Sequence, residues 1–238
     1  MRMGRGRRRT PNEKRCHQVP GIHPDRAGSV RRLHRGGRDS RGDLDYDLWL
    51  GQAPWAPYNA RRVAPGGWRG LEDYAGGGVT DGTAHVMGSA LYALGLDFTG
   101  PTEIIPPSKT DKNVKFAMRF AEGPEIRFEK HPDVSAGVVF VGTDGILPRT
   151  PVPKPKGPNR LRDRGRGIPG DFIHCVRTRA LPVQDVESAH RVATALHLIN
   201  IALKLRRPLR WDPIREQFVN DPEANRLCSR AMREPWRL

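Results

Sequence analysis

The sequence predicts an α+β fold in which a mainly antiparallel sheet and a set of helices occupy separate stretches of the chain. Two observations carry this. Four short strand-like runs follow one another between residues 113 and 150, with turn signals between them. Helical apolar spacing lies outside that block, once before it at residues 80–95 and again after residue 170. With 238 residues the chain can form one or two domains and bury a sizeable core.

The first element is defined by charge. The formal net charge is +15, but residues 1 to 42 hold twelve Arg and one Lys against Glu13, Asp25 and Asp39, so most of the basicity belongs to that segment. It has few apolar residues and no period of 2 or 3.6, too little burial to offset the entropy of ordering. Residues 1–43 are therefore expected to be a disordered basic tail without a buried strand. No aromatic platform or recognition helix accompanies the arginines, so specific nucleic-acid binding is not expected. "RRR" is followed by "TPNEKRC" rather than an apolar stretch, and no run of 18 apolar residues occurs, so neither a signal peptide nor a membrane span is expected. Cys16, Cys175 and Cys228 are widely spaced and odd in number. That argues against a disulfide framework or zinc site and fits a reduced, cytoplasmic setting.

Residues 44–74, rich in Trp, Tyr, Pro and Gly, read as long ordered loops around aromatic anchors. In "TDGTAHVMGSALYALG", Val86, Ala90, Leu91 and Leu94 have helical spacing, with Thr80 as the expected N-cap and Gly95 as the expected C-cap. The strand-like runs are 113–120, 125–130, 137–143 and 145–150. Residues such as Val114, Phe116 and Met118 should line one face, and Lys115 and Arg119 the other. A Pro- and Gly-rich connector, 151–170, leads to helices expected at 171–179, from Asp185 to about Arg207, and at 221–232. The middle one presents Val186, Ala189, Ala193, Leu196, Asn200 and Leu203 on one face and is expected to be largely buried. The connector's "GRGIPG" satisfies G-x-G-x-x-G but follows "RLRDR", not a buried strand, so it reads as a basic loop rather than a dinucleotide cradle.

Four ordered stretches then carry a resemblance: "LDYDLWLGQAPWAPYN", "DYAGGGVTDGTAHVMGSALYALGLDFTGP", "GVVFVGTDG" and "LRWDPIREQFVNDPEANRLCSRAMREPW". Together they resemble the C-terminal domain of the Gfo/Idh/MocA family of NAD(P)-dependent oxidoreductases, in its bacterial variant with a "WDP...A" ending. The resemblance covers about residues 44–238. It implies a dihydrodipicolinate-reductase-like α+β domain, a large open mainly antiparallel sheet with helices on one face, that closes over a sugar or cyclitol. It also implies self-association through the sheet. The family's glycine-rich cofactor turn and Glu-Lys-Pro motif do not appear, and the residues before Leu44 cannot hold a Rossmann domain. The expectation is a truncated or mis-started gene, in which NAD or NADP is the family's cofactor but binds no part of this chain alone.

The same resemblance assigns candidate site residues. In "DGTAH", His85 takes the position of the base that accepts the proton of a secondary alcohol, and Asp81, four positions earlier, takes the position of its supporting carboxylate. The residue type suits the task, since imidazole exchanges protons near neutrality. Many members have another Asp where this chain has Gly88. Trp49 and Tyr74 are candidates to line a sugar pocket, as are Trp55 and Tyr58, since aromatic faces suit sugar C–H surfaces. His190 and His197 read as packed or half-exposed helix residues, Cys175 as a buried small hydrophobe, and "REPW" as a docking tail. The chain thus reads as the substrate domain of a sugar or cyclitol oxidoreductase, or as a non-catalytic sugar-binding or oligomerisation domain.

Overall fold

A computed structural model describes residues 15–17, 44–107, 114–121, 123–129, 138–143, 145–148 and 167–236. The strands are β1 (Arg15–His17), β2 (Glu103–Ile105), β3 (Val114–Arg119), β4 (Glu125–Glu129), β5 (Val139–Gly142), β6 (Gly145–Pro148), β7 (Leu209–Asp212) and β8 (Gln217–Phe218). They form one sheet in the order β6-β5-β1-β4-β3-β2-β7-β8. Every pairing is antiparallel except that of β1 with β4. The helices are α1 (Tyr46–Leu50), α2 (Ala60–Val63), α3 (Gly77–Thr80), α4 (Gly82–Leu94), α5 (Gly167–Thr178), α6 (Val186–Leu205) and α7 (Pro222–Arg226). The α+β class with its mainly antiparallel sheet is as expected, and no helix among the described residues is long and apolar enough to cross a membrane.

Strand alternation divides the sheet into two chemically different faces. Phe116, Met118, Ile126, Phe128 and Ile104 are buried in one core cluster with Met87, Ala90 and Leu91 of α4 and Ala195, Leu198, Ile199 and Ala202 of α6. Phe116 and Phe128 face each other across β3 and β4, ring centroids 3.9 Å apart. The alternate positions carry charge: Arg119 donates to Glu103 at 2.7 Å and to Glu125 at 2.8 Å, and Arg127 lies 3.2 Å from Glu129. A register shift between Val114 and Phe116 marks a bulge at the start of β3.

Two segments depart from expectation. Arg15–His17, inside the segment read as a strandless tail, is wedged as β1 between β4 and β5. The expectation weighed apolar side chains, whereas a strand between two others is held by main-chain bonds on both edges whatever its side chains. The other residues before 44, and the connector up to 166, lie outside the described residues. In α6 the burial falls on the second half, from Ala195 to Ala202, while Val186, Ala189 and Ala193 are exposed. That half packs on α3, α4 and β2; the apolar stripe of the first half instead contributes to a cavity wall described below.

Helix ends follow local chemistry. Gly95 closes α4 at φ +69, its N–H reaching Leu91 and Tyr92 carbonyls. Asp185 caps α6, accepting from the N–H groups of Glu187 at 2.9 Å and Ser188 at 3.1 Å. The "WDP" corner folds because Asp212 accepts from Ile214 and Arg215 N–H, turning β7 into β8, while Trp211 packs edge-on to Phe218. Asn225 of α7 bonds both the N–H and the carbonyl of Phe218, which covers the sheet edge. α7 ends at Arg226, shorter than the expected 221–232, because the chain beyond it is fastened to α1. α5 starts at Gly167, four residues early.

Arg207 donates to both carboxylate oxygens of Asp221 and to Glu223. The Arg207 guanidinium, with the Ala224 N–H, holds the Asp221 carboxyl down to about 2 from its ordinary 3.8. A carboxyl depressed in the folded state stabilises the fold above its unfolded value, and that contribution is lost as pH falls through the folded one. Asp221→Asn is therefore expected to flatten the acid limb of stability between about pH 4 and pH 2. Urea midpoints across that range check this; parallel limbs for parent and variant would contradict it.

Candidate functional site

The glycine turn that leads into α4 is pinned from behind by α6. Asn200 Nδ2 donates to the Gly76 carbonyl at 2.8 Å. A Cβ on Gly76 would stand 2.4 Å from the Thr80 side chain and 3.0 Å from that amide nitrogen, so this close approach needs glycine. Gly77 adopts φ +68 and starts α3, which ends at Thr80. Asp81, at φ −86 and ψ −89, separates α3 from α4; it occupies the cap position expected for Thr80 and makes no side-chain cap bond.

That bend decides the fate of the predicted pair. Asp81 lies outside the helix, so the i, i+4 stacking that would join it to His85 does not apply. Its carboxylate accepts instead from Arg69 Nη1 at 3.2 Å, both groups exposed. His85 sits in the first turn of α4 with an exposed side chain, and its carbonyl accepts from the Ser89 hydroxyl at 3.2 Å.

His85 lines a cavity of about 340 Å³ between α4 and α6, shared with Gly88, Gln184, Ser188, Val192 and His197. Gly88 stands 3.7 Å from Val192 and 4.0 Å from the Gln184 amide by the position its Cβ would take, so a longer side chain there would enter the space. Asp171 is buried on α5 and accepts from the Val183 N–H at 2.8 Å, which holds the loop that brings Gln184 to the cavity. Burial, helped by the charge of Arg230, lowers the His197 pKa and favours its neutral imidazole. The cavity therefore offers two imidazoles, an amide and the hydroxyls of Thr80 and Ser188 against an apolar wall.

Trp49 and Tyr74, the predicted sugar-facing pair, do come together, with ring centroids 5.1 Å apart. They line a different and larger cleft, of about 640 Å³, with Trp68, Trp236, Gln52 and Asp73. Behind it lies a cluster that sequence reasoning missed. Arg62, 3% exposed, donates to the Tyr46 hydroxyl and to the Pro57 carbonyl, both at 2.6 Å, and its guanidinium lies 5.9 Å over the Tyr74 ring. Tyr46 stacks on Trp49 and meets Tyr58 edge-on, so the 44–74 segment is anchored by aromatics as expected, with a buried cation at the centre. Burial raises the Tyr74 hydroxyl pKa, with Arg62 opposing. Trp55 is exposed and Tyr58 is packed inside.

Asn200, Gln184 and Trp236 were not legible as site residues, since each acts across a long stretch of chain; Arg62 acts on residues near it in sequence, and the run of aromatics around "NARRV" was its local signal. Residues 38–238 match the family model described as "Oxidoreductase family, C-terminal alpha/beta domain", of the Gfo/Idh/MocA group. No curated protein matches the chain.

Proposed function

We propose a function on the premise that this match establishes: the chain belongs to the Gfo/Idh/MocA oxidoreductase family, of which it carries the C-terminal alpha/beta domain. The reading supported best is a substrate domain for oxidation of a secondary alcohol on a sugar or cyclitol, with His85 as the base. The observation that carries it is the exposed His85 imidazole opening into a cavity of about 340 Å³ that also holds the His197 imidazole, an amide and two hydroxyls. Alcohol oxidation needs a base within reach of the hydroxyl proton, and the cavity lets a small polyol approach one. Hydrogen-bonding groups around His85 would orient the neighbouring hydroxyls.

NAD or NADP, the hydride acceptor usual in such a family, finds no cradle among the described residues. Of "GRGIPG", Gly167 and Gly170 are part of α5, and Pro169 in its first turn supplies no N–H for a phosphate. A separate nucleotide-binding domain would hold it. With the whole chain, β1 included, joined behind such a domain, it is expected to oxidise a sugar or cyclitol with reduction of NAD or NADP.

The pairing of Asp81 with Arg69 favours a second reading, a non-catalytic sugar-binding or oligomerisation domain. Binding of both cofactor and sugar by the joined protein with no turnover would leave that reading standing.

Self-association through the charged sheet face is part of the proposal. Arg119, Arg127, Glu103, Glu125 and Glu129 alternate in sign across β2, β3 and β4, so a second copy can meet the face with opposite charges. Sedimentation is expected to show a dimer or larger species that dissociates as salt rises, because exposed pairs are screened. A monomer at tens of micromolar protein in low salt would count against it.

A further inference from the structure

We propose that the aromatic cleft beside α1 is a second binding site, separate from the His85 cavity, that takes a pyranose-type ring, and that the C-terminal residues Arg233 to Trp236 build one of its walls. The cleft is lined by Trp49, Trp68, Tyr74 and Trp236, with Gln52 and Asp73 at its rim. Aromatic faces cover the C–H face of a saturated ring, while an amide and a carboxylate pair with hydroxyls around its edge. Its volume of about 640 Å³ falls within the range of small-molecule sites. The buried Trp236 Nε1 has no acceptor among the described residues. A ligand hydroxyl reached by a small shift of the indole would supply one.

Charge selects the ligand class. Asp73 is the charged side chain of the lining, but the Arg62 guanidinium lies over the Tyr74 ring and Arg233 donates to the Gly51 carbonyl at 3.0 Å. Arg233 is paired with Asp47, and the Arg62 guanidinium already uses one Tyr74 π-face and sets a positive charge near the cleft. The cleft suits a neutral polyhydroxylated ring better than an organic cation.

The C-terminal wall is fastened, not loosely docked. Arg233 donates from Nη1 to the Asp47 carboxylate at 2.6 Å and from Nη2 to the Asp47 carbonyl at 3.2 Å, and its N–H reaches the Gln52 carbonyl at 3.1 Å. The Trp236 N–H then closes a turn on the Arg233 carbonyl at 2.9 Å. α1 and the loop after it therefore present Trp49 and Gln52 and also clamp the strap that presents Trp236, so both walls are set by one anchor. Arg233 is a positioning residue.

The sugar class agrees with the proposed substrate, but the site rests on these residues alone, and the test separates the two. Tryptophan fluorescence and calorimetry of the full chain would be followed on titration with methyl β-D-glucopyranoside, lactose and, as a cationic control, tetramethylammonium chloride. A saturable response to a sugar is expected, weakened about five- to tenfold by Trp236→Ala or by Arg233→Ala. Trp236→Phe should restore the share that comes from the ring face but not that of the indole N–H, and His85→Ala should leave it unchanged. If Trp236→Ala does not fold, the exposed rim variants Gln52→Ala and Asp73→Asn are expected to weaken binding in its place. No saturable sugar response, a response indifferent to the Trp236, Gln52 and Asp73 changes, or binding of tetramethylammonium in preference to the sugars overturns the proposal. Loss of binding on His85→Ala with Trp236→Ala inert would place the sugar in the His85 cavity, which sinks this site and spares the proposed function.

Discussion

His85→Ala is expected to lower the hydride-transfer rate by about 10²- to 10⁴-fold when the chain is joined behind a nucleotide-binding domain, the usual contribution of a positioned acid-base group. The imidazole is exposed, lines the cavity between α4 and α6, and sits at the start of a helix whose other face is buried, so the backbone that aims it is fixed. Removing the base should slow the chemical step and also weaken sugar binding in this cavity, which loses one of its hydrogen-bonding groups. Raising the pH should partly rescue the variant, because hydroxide or an ionised substrate replaces the missing base. Asp81→Asn should cost much less, under about tenfold, since the Asp81 carboxylate pairs with Arg69. A joined protein that turns over at the same rate with and without His85 would remove the imidazole from the mechanism.

The contrast between those two residues also shows what a sequence can reveal. His85 was found by its motif, and its exposure on α4 follows from helical spacing with Met87, Ala90 and Leu91 turned inward. Asp81 was assigned by the same motif, but a backbone kink at that residue takes it out of the helix and makes it the N-cap, a place that both Thr80 and Asp81 suit by residue type. Strands β3 and β4 were legible because they alternate, and β5 and β6 because short apolar runs are bounded by turn residues. β2, β7 and β8 have only three, four and two residues, too few to show a period of two; they are strands because neighbouring edges pair with them. β1 is the extreme case, three residues of Arg, Cys and His placed entirely by its neighbours. The links made by Asn200 to Gly76 and by Arg233 to Asp47 span 124 and 186 residues, beyond the reach of any local pattern.

Leu91→Ala is expected to cost about 2–5 kcal/mol, a large part of the roughly 5–15 kcal/mol that holds a domain together. Leu91 is fully buried on α4, in the cluster that joins this helix to α6 and to β2, β3 and β4, and its carbonyl also accepts the N–H groups that close the helix at Gly95 and Leu96. Truncation removes the transfer energy of the lost methyl groups and leaves a cavity that the sheet on one side and α6 on the other have little freedom to fill. Tyr92 is the control: it is the next residue of the same helix but 54% exposed, so Tyr92→Ala should change stability by less than about 1 kcal/mol. Urea unfolding of the full chain, with the slope unchanged between variants, measures both. Hydrogen exchange adds the link to the site, because loosening at Leu91 should speed exchange along α4 back toward His85 before the outer strands respond. A Leu91→Ala protein that unfolds at the parent's midpoint would mean that α4 is not packed on the sheet, and the rigid support claimed for His85 would go with it.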